Sequence, residues 1–582
     1  MKLRAATVTD GYKVSHGMMY ADGTSKVYSN LTPRSDKIYL RNCTRFYGGK
    51  LVFVGAQGAV QEIMEMWEDS FFSKPSVEVI GRFAKRMRGY LGGKVAATAQ
   101  LRELHKLGYL PLEIKALPEG RHVAMGIPVL TVTNTVAAMF WLVNYLETVL
   151  SDLIWKSSTN ATIAMEYKAI CQYYAEQTGT DDFSVSIQCH DFSMRGMSGP
   201  EDAARSGFAH LTSFIGTDVL PALDYAEDYY GVPEGAMIAI SVPATEHAVA
   251  TNNILSIEQR LLTMRIQRAD PRLLAEEMFM RDLITRKFPT GIISYVADSF
   301  SFWSVLEDIL PELKETIMAR EASDVAPGKL VIRPDSGDPV DVVCGTISSH
   351  YDTLEAALDT ENNNHYEEAV EACDGGHGQG CASYASVVFV RENSTYYEIT
   401  SKFGYYVDEQ TTTSVEVVAT PEMKGAVQCL WETFGGTVTD KGYKLLDSHI
   451  GLIYGDSITT NRAVQILSRL MDAGFASGNI VFGVGSYTYQ CNTRDTFGFA
   501  VKATYSVVNG CPVNIFKDPK TDSKKKSAKG LLRVNETEGG VYSLEDQVTE
   551  ERSGGALQLI FLDGEFVART TLDEIRANVS KG

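Results

Sequence analysis

One pattern constrains the fold more than any other: a short apolar run breaks into a polar or glycine-rich loop, and a helical pattern usually follows. Seven such units occur between about residues 151 and 489. Their apolar runs cover residues 185–189, 211–215, 237–240, 291–297, 330–332, 450–454 and 480–482. Buried strands that alternate with helices are typical of a parallel sheet with helices on its outside. Seven units favour an α/β fold whose sheet forms a closed or nearly closed barrel.

The loops that follow these runs are rich in ionisable residues and glycine. In a barrel, the loops at the carboxyl ends of the strands converge on one mouth and carry the chemistry. The ionisable residues in these loops are His190, Asp191, Arg195, Asp218, Glu246, His247, Asp298, Arg333, Asp335 and Asp456. The last two units contribute most of the glycine, which suits a phosphate held by backbone N–H groups. We therefore expect one active site at this mouth.

The segment Ser241-Val-Pro-Ala-Thr-Glu-His247 stands out among these loops. It follows the run Met237-Ile-Ala-Ile240, which the pattern predicts to be a buried strand, and it places a carboxylate beside an imidazole. We expect His247 to act as a nucleophile or a general base. A capped turn is the simpler interpretation of one histidine after one strand. A catalytic role is favoured only because the other loops also carry ionisable residues.

Other parts of the chain depart from the repeated unit. Residues 1–150 mix helix and strand, and after Arg494 strands return and lead into a lysine-rich segment over residues 517–529. Between about residues 343 and 421 the repeat lapses. There the alternating Thr, Val and Tyr residues of 394–418 predict a small antiparallel unit, which we interpret as an insertion in one barrel loop.

Composition and charge narrow the classes of function. The formal net charge is −19, which argues against binding to nucleic acid or to an acidic membrane. An anionic substrate would need a local cationic patch; the lysine-rich segment is a candidate, although a solvated loop is its simpler interpretation. The nine Cys form no C-x-x-C pair, which suits reduced thiols better than disulfides or zinc. Because no signal core and no apolar stretch of about 18 residues is evident, we expect a cytoplasmic protein.

A set of short motifs is spread along nearly the whole chain except the insertion. They are Asp10-Gly-Tyr-Lys-Val-Ser-His16, Thr24-Ser-Lys-Val-Tyr-Ser29, His190-Asp-Phe-Ser-Met-Arg-Gly196, Gly216-Thr-Asp218, the segment Ser241 to His247, Ile332-Arg-Pro-Asp-Ser-Gly-Asp-Pro339, Lys441-Gly-Tyr-Lys-Leu-Leu446, Gly455-Asp456, Val508-Asn-Gly510 and Asn514-Ile-Phe-Lys-Asp-Pro519. Together these motifs resemble the nicotinamide phosphoribosyltransferases of the type II phosphoribosyltransferase family.

The resemblance implies both an architecture and a reaction. The architecture is an irregular, TIM-like α/β barrel over residues 151–489, with the insertion at about 343–421, plus an α+β domain built from residues 1–150 and 490–582. The reaction joins nicotinamide to phosphoribosyl pyrophosphate and yields nicotinamide mononucleotide and pyrophosphate, a step of NAD salvage. The resemblance also implies Mg²⁺ as a cofactor, stimulation by ATP through a phosphohistidine, and a homodimer with shared active sites.

Carried over residue by residue, the resemblance implies a role for each matching position. The catalytic residues would be His247, Asp298 and Asp335, with Asp298 orienting the imidazole. Nicotinamide would be bound by Asp10, Tyr12 of the partner subunit, Phe192, Arg195, Asp218 and Arg333. The ribose and its 5′-phosphate would be bound by Ser241, Asp335, Gly455, Asp456, Gly485 and Ser486. Pyrophosphate or ATP phosphates would be bound by Arg34, Arg494, Lys502, Lys517 and Lys525. No protein side chain is assigned to the metal.

Two departures from the family pattern and two alternative functions remain. Ser486 stands where the family has a run of glycines, and the insertion is absent from the family pattern. One alternative is a nicotinate phosphoribosyltransferase, against which Asp218 argues because its carboxylate would repel nicotinate. The other is a non-catalytic nucleotide-binding or scaffolding barrel, against which the presence of His247 and Asp298 argues.

Overall fold

The computed structural model describes residues 3–92, 97–265, 270–347, 349–374, 384–393, 395–403, 410–455, 457–517 and 528–582. Asp456 and Lys525, both expected in the site, lie outside the described residues. The chain divides into two compact units. The first contains Met1–Ala169, Asp191–Ile240 and Gly485–Gly582, and the second contains Ile170–His190 and Ser241–Val484. The first unit is therefore built from both chain ends together with a central segment.

The strands are distributed along the whole chain. In chain order they are β1 Thr24–Thr32, β2 Lys50–Val52, β3 Leu112–Ala116, β4 His122–Ala124, β5 Leu130–Asn134, β6 Cys189–Asp191, β7 Gly216–Thr217, β8 Ile292–Val296, β9 Lys329–Arg333, β10 His350–Tyr351, β11 Tyr384–Glu392, β12 Thr395–Phe403, β13 Gln410–Val417, β14 Gly436–Val438, β15 Lys444–Leu446, β16 Ile450–Tyr454, β17 Val481–Val484, β18 Ala500–Val508, β19 Cys511–Asn514, β20 Leu531–Glu536, β21 Tyr542–Val548, β22 Gly554–Gly555, β23 Gln558–Leu562 and β24 Glu565–Phe566.

The α-helices are also distributed along the whole chain. In chain order they are α1 Ala56–Trp67, α2 Ser76–Leu91, α3 Ala97–Leu107, α4 Phe140–Thr178, α5 Asp182–Ile187, α6 Pro200–Leu211, α7 Pro221–Tyr229, α8 His247–Thr263, α9 Pro271–Asp282, α10 Phe302–Ser304, α11 Leu310–Met318, α12 Pro339–Cys344, α13 Leu354–Asp374, α14 Pro421–Lys424, α15 Ala426–Phe434, α16 Thr460–Asp472, α17 Ser486–Gln490 and α18 Leu572–Val579. Short 3₁₀ turns include Gly11–Met18, Met194–Gly196 and Arg494–Thr496.

A seven-stranded antiparallel sheet organises the first unit. Its strand order is β19-β18-β1-β5-β3-β23-β24, so strands from both chain ends lie side by side. In β1 the apolar side chains of Val27 and Leu31 are fully buried, and β1 pairs with β18 on one side and β5 on the other. At the C-terminus, α18 buries Leu572 and Ile575 in a cluster with Phe208. These contacts join the start, middle and end of the chain into one core.

A parallel sheet organises the second unit. β8 pairs in parallel with β9, β9 with β16, and β16 with β17, while the N–H of Phe482 donates to the carbonyl of Gln188 at 2.7 Å, just before β6. An isolated parallel bridge joins Ala244 to Ser294 of β8. The described strands of this sheet form an open half-barrel. Ile293, Tyr295, Leu330 and Ile332 are buried, as expected for strands covered by helices on one face and packed inward on the other.

The sequence pattern located four of the seven expected strands. β8, β9, β16 and β17 coincide with the apolar runs at 291–297, 330–332, 450–454 and 480–482. The prediction of a buried strand over Met237–Ile240 is wrong, because Met237 is 77% exposed and the segment contributes only the isolated bridge from Ile240 to Gly216. The run at 211–215 is the end of α6 and a turn, and most of 185–189 belongs to α5. Short apolar runs do not distinguish a strand from the end of a buried helix.

The insertion predicted between 343 and 421 has its own secondary structure. β10, β11, β12 and β13 form a sheet in that order, and β11–β12 and β12–β13 are antiparallel pairs. The buried residues Ala357 of α13, Val390 and Ile399 form a separate small core. The predicted antiparallel unit is confirmed, and the helix α13 was not predicted.

One described helix, over Ala137–Thr178, is long and apolar enough to cross a membrane by length and composition alone. More than half of its most apolar window, 56%, is buried inside the protein. The core helix of a soluble protein passes the same test, so the helix is weak evidence for a membrane span.

Candidate active site

His247 is placed by the loop that runs alongside β8. The N–H of Thr245 donates to the carbonyl of Ser294 at 3.0 Å, and the Thr245 hydroxyl accepts from the N–H of Val296 at 2.9 Å. Thr245 is therefore fixed to the edge strand by both its backbone and its side chain. His247 follows two residues later as the first residue of α8. The imidazole thus lies at the carboxyl end of β8.

Two carboxylates follow the neighbouring parallel strands at the same end. Asp298 comes two residues after β8, and Asp335 comes two residues after β9. Asp298 Oδ2 accepts hydrogen bonds from the backbone N–H of Asp335 at 2.9 Å and from the hydroxyl of Ser336 at 2.6 Å. The Asp298 side chain is only 5% exposed. A buried carboxylate therefore joins the two strand ends.

The structure brings the three residues of the expected catalytic group together. His247 Nε2 lies 3.7 Å from Asp298 Oδ1 and 3.7 Å from Asp335 Oδ2, while His247 Nδ1 lies 3.1 Å from the hydroxyl of Ser299. Carboxylates facing Nε2 favour a proton on that nitrogen. In that tautomer Nδ1 carries the lone pair and can accept from the Ser299 hydroxyl. The imidazole side chain is 47% exposed, so a ligand can reach it.

Arg333 and Gly455 complete this cluster, which we call the histidine cluster (His247, Asp298, Asp335, Arg333 and Gly455). Arg333 Nη2 donates to the carbonyl of Thr245 at 2.8 Å. A Cβ added to Gly455 would lie 2.3 Å from Asp335 Oδ1 and 3.2 Å from Arg333 Cδ. Only glycine leaves room for the Asp335 carboxylate at this point. Ser241, at the start of the loop, is exposed.

All the residues expected to bind the base except Arg333 lie in the first unit. The backbone N–H of Asp218 donates to the carbonyl of Asp191 at 3.0 Å, which places Asp218 beside the residue that precedes Phe192. Asp191 Oδ1 in turn accepts from the N–H of Ser193 at 2.9 Å. Phe192 is half-buried, and Asp218 and Arg195 are exposed. The structure therefore brings an aromatic ring and an exposed carboxylate to neighbouring backbone positions.

The segment expected to bind the 5′-phosphate leads into the helix α17 in the same unit. Gly485 precedes the helix and Ser486 is its first residue. A Cβ added to Gly196 would lie 2.0 Å from the Ser486 hydroxyl oxygen. The expected base-binding and phosphate-binding segments are therefore in direct contact through Gly196 and Ser486.

The segment around Tyr12 is docked on α4 by the side chains of Asp10 and Lys13. Asp10 Oδ2 accepts from the hydroxyl of Thr148 at 2.6 Å, and Lys13 Nζ forms a buried ion pair with Glu147 at 2.7 Å. Tyr12 between them is 63% exposed. Burial and the charges of Asp10 and Glu147 raise the pKa of Tyr12. The docking fixes the backbone and leaves the Tyr12 ring directed away from the core.

Three of the expected phosphate-binding cations act on one another. Burial, followed by the positive charges of Arg34 and Lys517, lowers the pKa of Lys502. The Arg34 Nε donates to the carbonyl of Gly498 at 2.9 Å, and its backbone N–H donates to the carbonyl of Phe497 at 3.0 Å. Arg494, on the preceding turn, pairs with Asp495 at 3.0 Å. In a chain of net charge −19, Arg34, Lys502 and Lys517 form a local concentration of positive charge.

Two residues that contact the histidine cluster could not be singled out from the sequence. Ser299 and Ser336 contact His247 and Asp298, and only their positions next to the two carboxylates could have indicated them. Across the described residues, no group of three or more His, Cys, Asp or Glu side chains has an arrangement that could hold a metal ion. Asp298 Oδ1 is buried and has no hydrogen-bond partner among those residues. That oxygen and the Asp335 carboxylate fit a hard cation that is held mainly by substrate oxygens.

Comparison with known proteins gives consistent matches. The model of the nicotinate phosphoribosyltransferase (NAPRTase) family matches residues 187–361 and 412–557. A protein of Acinetobacter baylyi, named nicotinamide phosphoribosyltransferase, is 42% identical over 100% of this chain and 98% of its own length. A protein of Mycoplasma pneumoniae with the same name is 29% identical over 91% of this chain and 95% of its own length. The structure of human nicotinic acid phosphoribosyltransferase is 14% identical, with a TM-score of 0.46, and covers 98% of this chain and 93% of that one.

Proposed function

The chain belongs to the nicotinate phosphoribosyltransferase family, and we propose that within it the chain is a nicotinamide phosphoribosyltransferase. The reaction is nicotinamide plus phosphoribosyl pyrophosphate to nicotinamide mononucleotide plus pyrophosphate, a pentosyl transfer in NAD salvage. The observation that carries the choice of base is the exposed carboxylate of Asp218 next to the Asp191–Phe192 backbone. The full-length similarity to relatives that bear this name supports it.

The choice between nicotinamide and nicotinate follows from charge. The carboxamide of nicotinamide carries an NH₂ group that donates to a carboxylate, whereas the carboxylate of nicotinate would meet Asp218 as a like charge. Phe192 offers a flat face for the electron-poor pyridine ring. Arg195 and Arg333 are proposed to line the pocket of the base and the phosphate.

The pentosyl transfer needs negative protein charge near the ribose and positive protein charge near the pyrophosphate. As the bond from C1′ to the pyrophosphate oxygen breaks, positive charge develops on the ribose and negative charge on the pyrophosphate. Fixed carboxylates near the sugar and cations at the leaving group oppose these charges where they develop. We assign the first role to Asp335, with Asp456 at the ribose hydroxyls, and the second to Arg34, Arg494, Lys502, Lys517 and Lys525. Ser241, Gly455, Gly485 and Ser486 would bind the ribose and its 5′-phosphate.

His247 is proposed to accept a phosphoryl group from ATP. A neutral imidazole attacks the γ-phosphorus of ATP through its unprotonated nitrogen, which the contacts with Asp298, Asp335 and Ser299 favour as Nδ1. The bond from the γ-phosphorus to the bridging oxygen breaks, and ADP leaves. The Asp298 and Asp335 carboxylates then stabilise the charged ring. We propose that this phosphorylation stimulates the pentosyl transfer.

Mg²⁺ is proposed as the cofactor. The ion prefers oxygen ligands and is usually held by one or two carboxylates together with substrate phosphates. Asp298 Oδ1 and the half-exposed Asp335 carboxylate fit that description. When bound, the ion would offset the negative charge of the pyrophosphate.

Assembly, compartment and domain organisation belong to the same proposal. The exposed Tyr12 ring, on a segment fixed to α4, suits a side chain that completes the base pocket of the partner in a homodimer. We place the enzyme in the cytoplasm. We also assign the half-barrel to the expected irregular barrel of residues 151–489, and the antiparallel sheet to the domain formed by residues 1–150 and 490–582.

A competition between the two bases tests the proposal. The full-length protein receives phosphoribosyl pyrophosphate, Mg²⁺, ATP and equimolar nicotinamide and nicotinate, and the mononucleotides are separated by chromatography. Nicotinamide mononucleotide is the expected product. Predominant nicotinate mononucleotide would favour the alternative function within the same family.

A further inference from the structure

A buried lysine links three segments of the first unit. Lys156 of α4 is 7% exposed, and its Nζ forms an ion pair with Asp202 of α6 at 2.6 Å. The same Nζ donates to the side-chain oxygen of Gln490, the last residue of α17. An ammonium held in this way is strongly constrained, because a buried charge that loses a partner is costly. Lys156 therefore fixes α17 relative to α6.

The ion pair extends to the loop that carries Phe192 and Arg195. Asp202 Oδ2 also accepts from the backbone N–H of Ser198 at 3.0 Å, and Gln490 Nε2 donates to the hydroxyl of Ser198 at 2.6 Å. Ser198 thus donates one hydrogen bond to Asp202 and accepts one from Gln490, which closes a ring of four residues. We call the ring the lysine relay (Lys156, Asp202, Ser198 and Gln490).

A second chain of hydrogen bonds leaves the neighbouring residue of α17. Tyr489 Oη lies 2.7 Å from His210 Nδ1, and His210 Nε2 lies 3.0 Å from the carbonyl of Gly216. Gly216 stands two residues before Asp218. Tyr489 and His210 are fully buried. The end of α17 is therefore connected both to the loop of Phe192 and to the segment of Asp218.

The start of α17 touches the same loop directly. A Cβ on Gly196 would overlap the hydroxyl oxygen of Ser486 at 2.0 Å and its Cβ at 2.4 Å. Ser486 therefore packs against a position where only glycine leaves room. Helix α17 is held against the loop that carries Phe192 and Arg195 at both ends. Its first residue is held by packing, and its last residue is held by the lysine relay.

We infer that Lys156 is a positioning residue for the pentosyl transfer, an inference that rests on the proposed function. Through Asp202, Ser198 and Gln490, it sets the distance between the segment assigned to the 5′-phosphate and the loop assigned to the nicotinamide ring. The two reactants must meet with C1′ of the sugar facing the ring nitrogen of the base. A misplacement of about 1 Å is enough to cost up to about a hundredfold in rate.

The test compares two buried ion pairs, each of which has one member on α6. Lys156→Met removes the ammonium and keeps the length of the side chain. The control Arg205→Met removes the ion pair between Arg205 of α6 and Glu62, which has a similar length of 2.7 Å and similar burial. Melting temperature, kcat, and KM for each substrate are measured for both variants and for the wild-type enzyme.

The expected results differ in the kinetics and not in the stability. Both variants melt earlier, but only Lys156→Met raises KM for phosphoribosyl pyrophosphate and lowers kcat, with kcat/KM falling by about tenfold or more. Equal kinetics for the two variants would overturn the inference. A wild-type enzyme that makes no nicotinamide mononucleotide would instead overturn the proposed function, and the inference with it.

Two further variants keep the inference testable if Lys156→Met does not fold. Gln490→Ala leaves the ion pair of Lys156 with Asp202 in place and frees the end of α17, so the same kinetic change is expected in a smaller size. Gly196→Ala is expected to impair the transfer by collision with Ser486, and the double variant Gly196→Ala/Ser486→Gly is expected to recover it. Normal kinetics in Gln490→Ala together with no recovery in the double variant would contradict the inference.

Discussion

At the scale of single residues, Asp298 holds the histidine cluster together. One carboxylate oxygen accepts from Asp335 and Ser336, and the other faces His247. Because the side chain is almost completely buried, its orientation is fixed before any ligand arrives. The cluster is therefore preorganised, which is the condition under which fixed charges accelerate a reaction most.

Replacement of Asp218 by Ala tests the choice of base. We expect the preference for nicotinamide over nicotinate to fall by about 10- to 100-fold, the range of one hydrogen bond to a charged group, because both the acceptor and the like-charge repulsion are lost. The measurement is the ratio of kcat/KM for the two bases. An unchanged ratio would remove Asp218 from its assigned role.

Replacement of His247 by Ala tests the role of ATP. The variant is expected to lose the stimulation by ATP completely, because no other imidazole of the cluster can accept the phosphoryl group. A matched control is His449→Ala, since His449 also pairs with a carboxylate, Asp447, at 2.7 Å but lies before β16. Rates with and without ATP are compared. Stimulation that persists in His247→Ala would refute the phosphohistidine.

The functional residues at the strand ends could be predicted from the sequence, but the contacts that support them could not. His247, Asp298 and Asp335 each follow an apolar run and carry an ionisable group, so the pattern indicated them. Lys156 lies within a long helix, far along the chain from Asp202 and Gln490. Its contacts exist only after folding, and no spacing in the sequence predicts them.

The strands of the half-barrel differ in how clearly the sequence indicates them. β8, β16 and β17 are buried on both faces, and β9 buries Leu330 and Ile332, which produces short apolar runs that are easy to recognise. The segment before His247 is apolar without being a buried strand, since Met237 is exposed and the backbone forms only one bridge. What fixes His247 is the pairing of Thr245 with β8, a tertiary contact that an apolar run cannot report.

A buried carboxyl between α9 and β8 gives this element pair a pH dependence. Glu276 is buried and accepts from the hydroxyl of Tyr295 at 2.8 Å, and burial raises its pKa from 4.5 to about 7. The folded state therefore binds the proton more tightly than the unfolded state. The stability that this group contributes is fully present below about pH 4.5 and is lost as the pH rises through about 7.

Replacement of Glu276 by Gln isolates that contribution. The amide keeps the acceptor for Tyr295 and does not titrate. We expect the variant to become more stable than the wild-type protein as the pH rises from about 4 to about 8, with a difference of up to about 3 kcal/mol at the upper end. Denaturant unfolding at several pH values measures the difference. A difference that does not change with pH would contradict the assignment.

At the scale of the whole molecule, the two ends of the insertion lie next to each other where they join the rest of their unit. The N–H of Thr346 donates to the carbonyl of Glu422 at 2.8 Å, and a Cβ on Gly425 would lie 2.1 Å from the N of Gly345. The chain therefore leaves and re-enters the unit at one place. A short link can therefore span the two ends of the segment without displacing either of them.

Removal of the insertion tests whether it belongs to the catalytic machinery. A variant in which a Gly-Gly link replaces residues 347–420 is expected to fold and to form nicotinamide mononucleotide at a rate comparable with that of the full chain. Its melting temperature is expected to fall, because Met423 loses the buried cluster of Ile347, Tyr396 and Ala419 against which it packs. Circular dichroism and the product assay measure both. A folded variant without activity would show that the insertion takes part in the reaction.

Product formation by the purified, full-length protein is the most direct test of the central claim that this chain transfers a phosphoribosyl group to nicotinamide. Nicotinamide, phosphoribosyl pyrophosphate and Mg²⁺ are mixed with the wild-type protein and with Asp335→Asn, and both products are quantified by mass spectrometry. We expect equal amounts of nicotinamide mononucleotide and pyrophosphate from the wild-type protein, more of both with ATP, and little of either from Asp335→Asn. A folded wild-type protein that forms no mononucleotide under any of these conditions would contradict the claim.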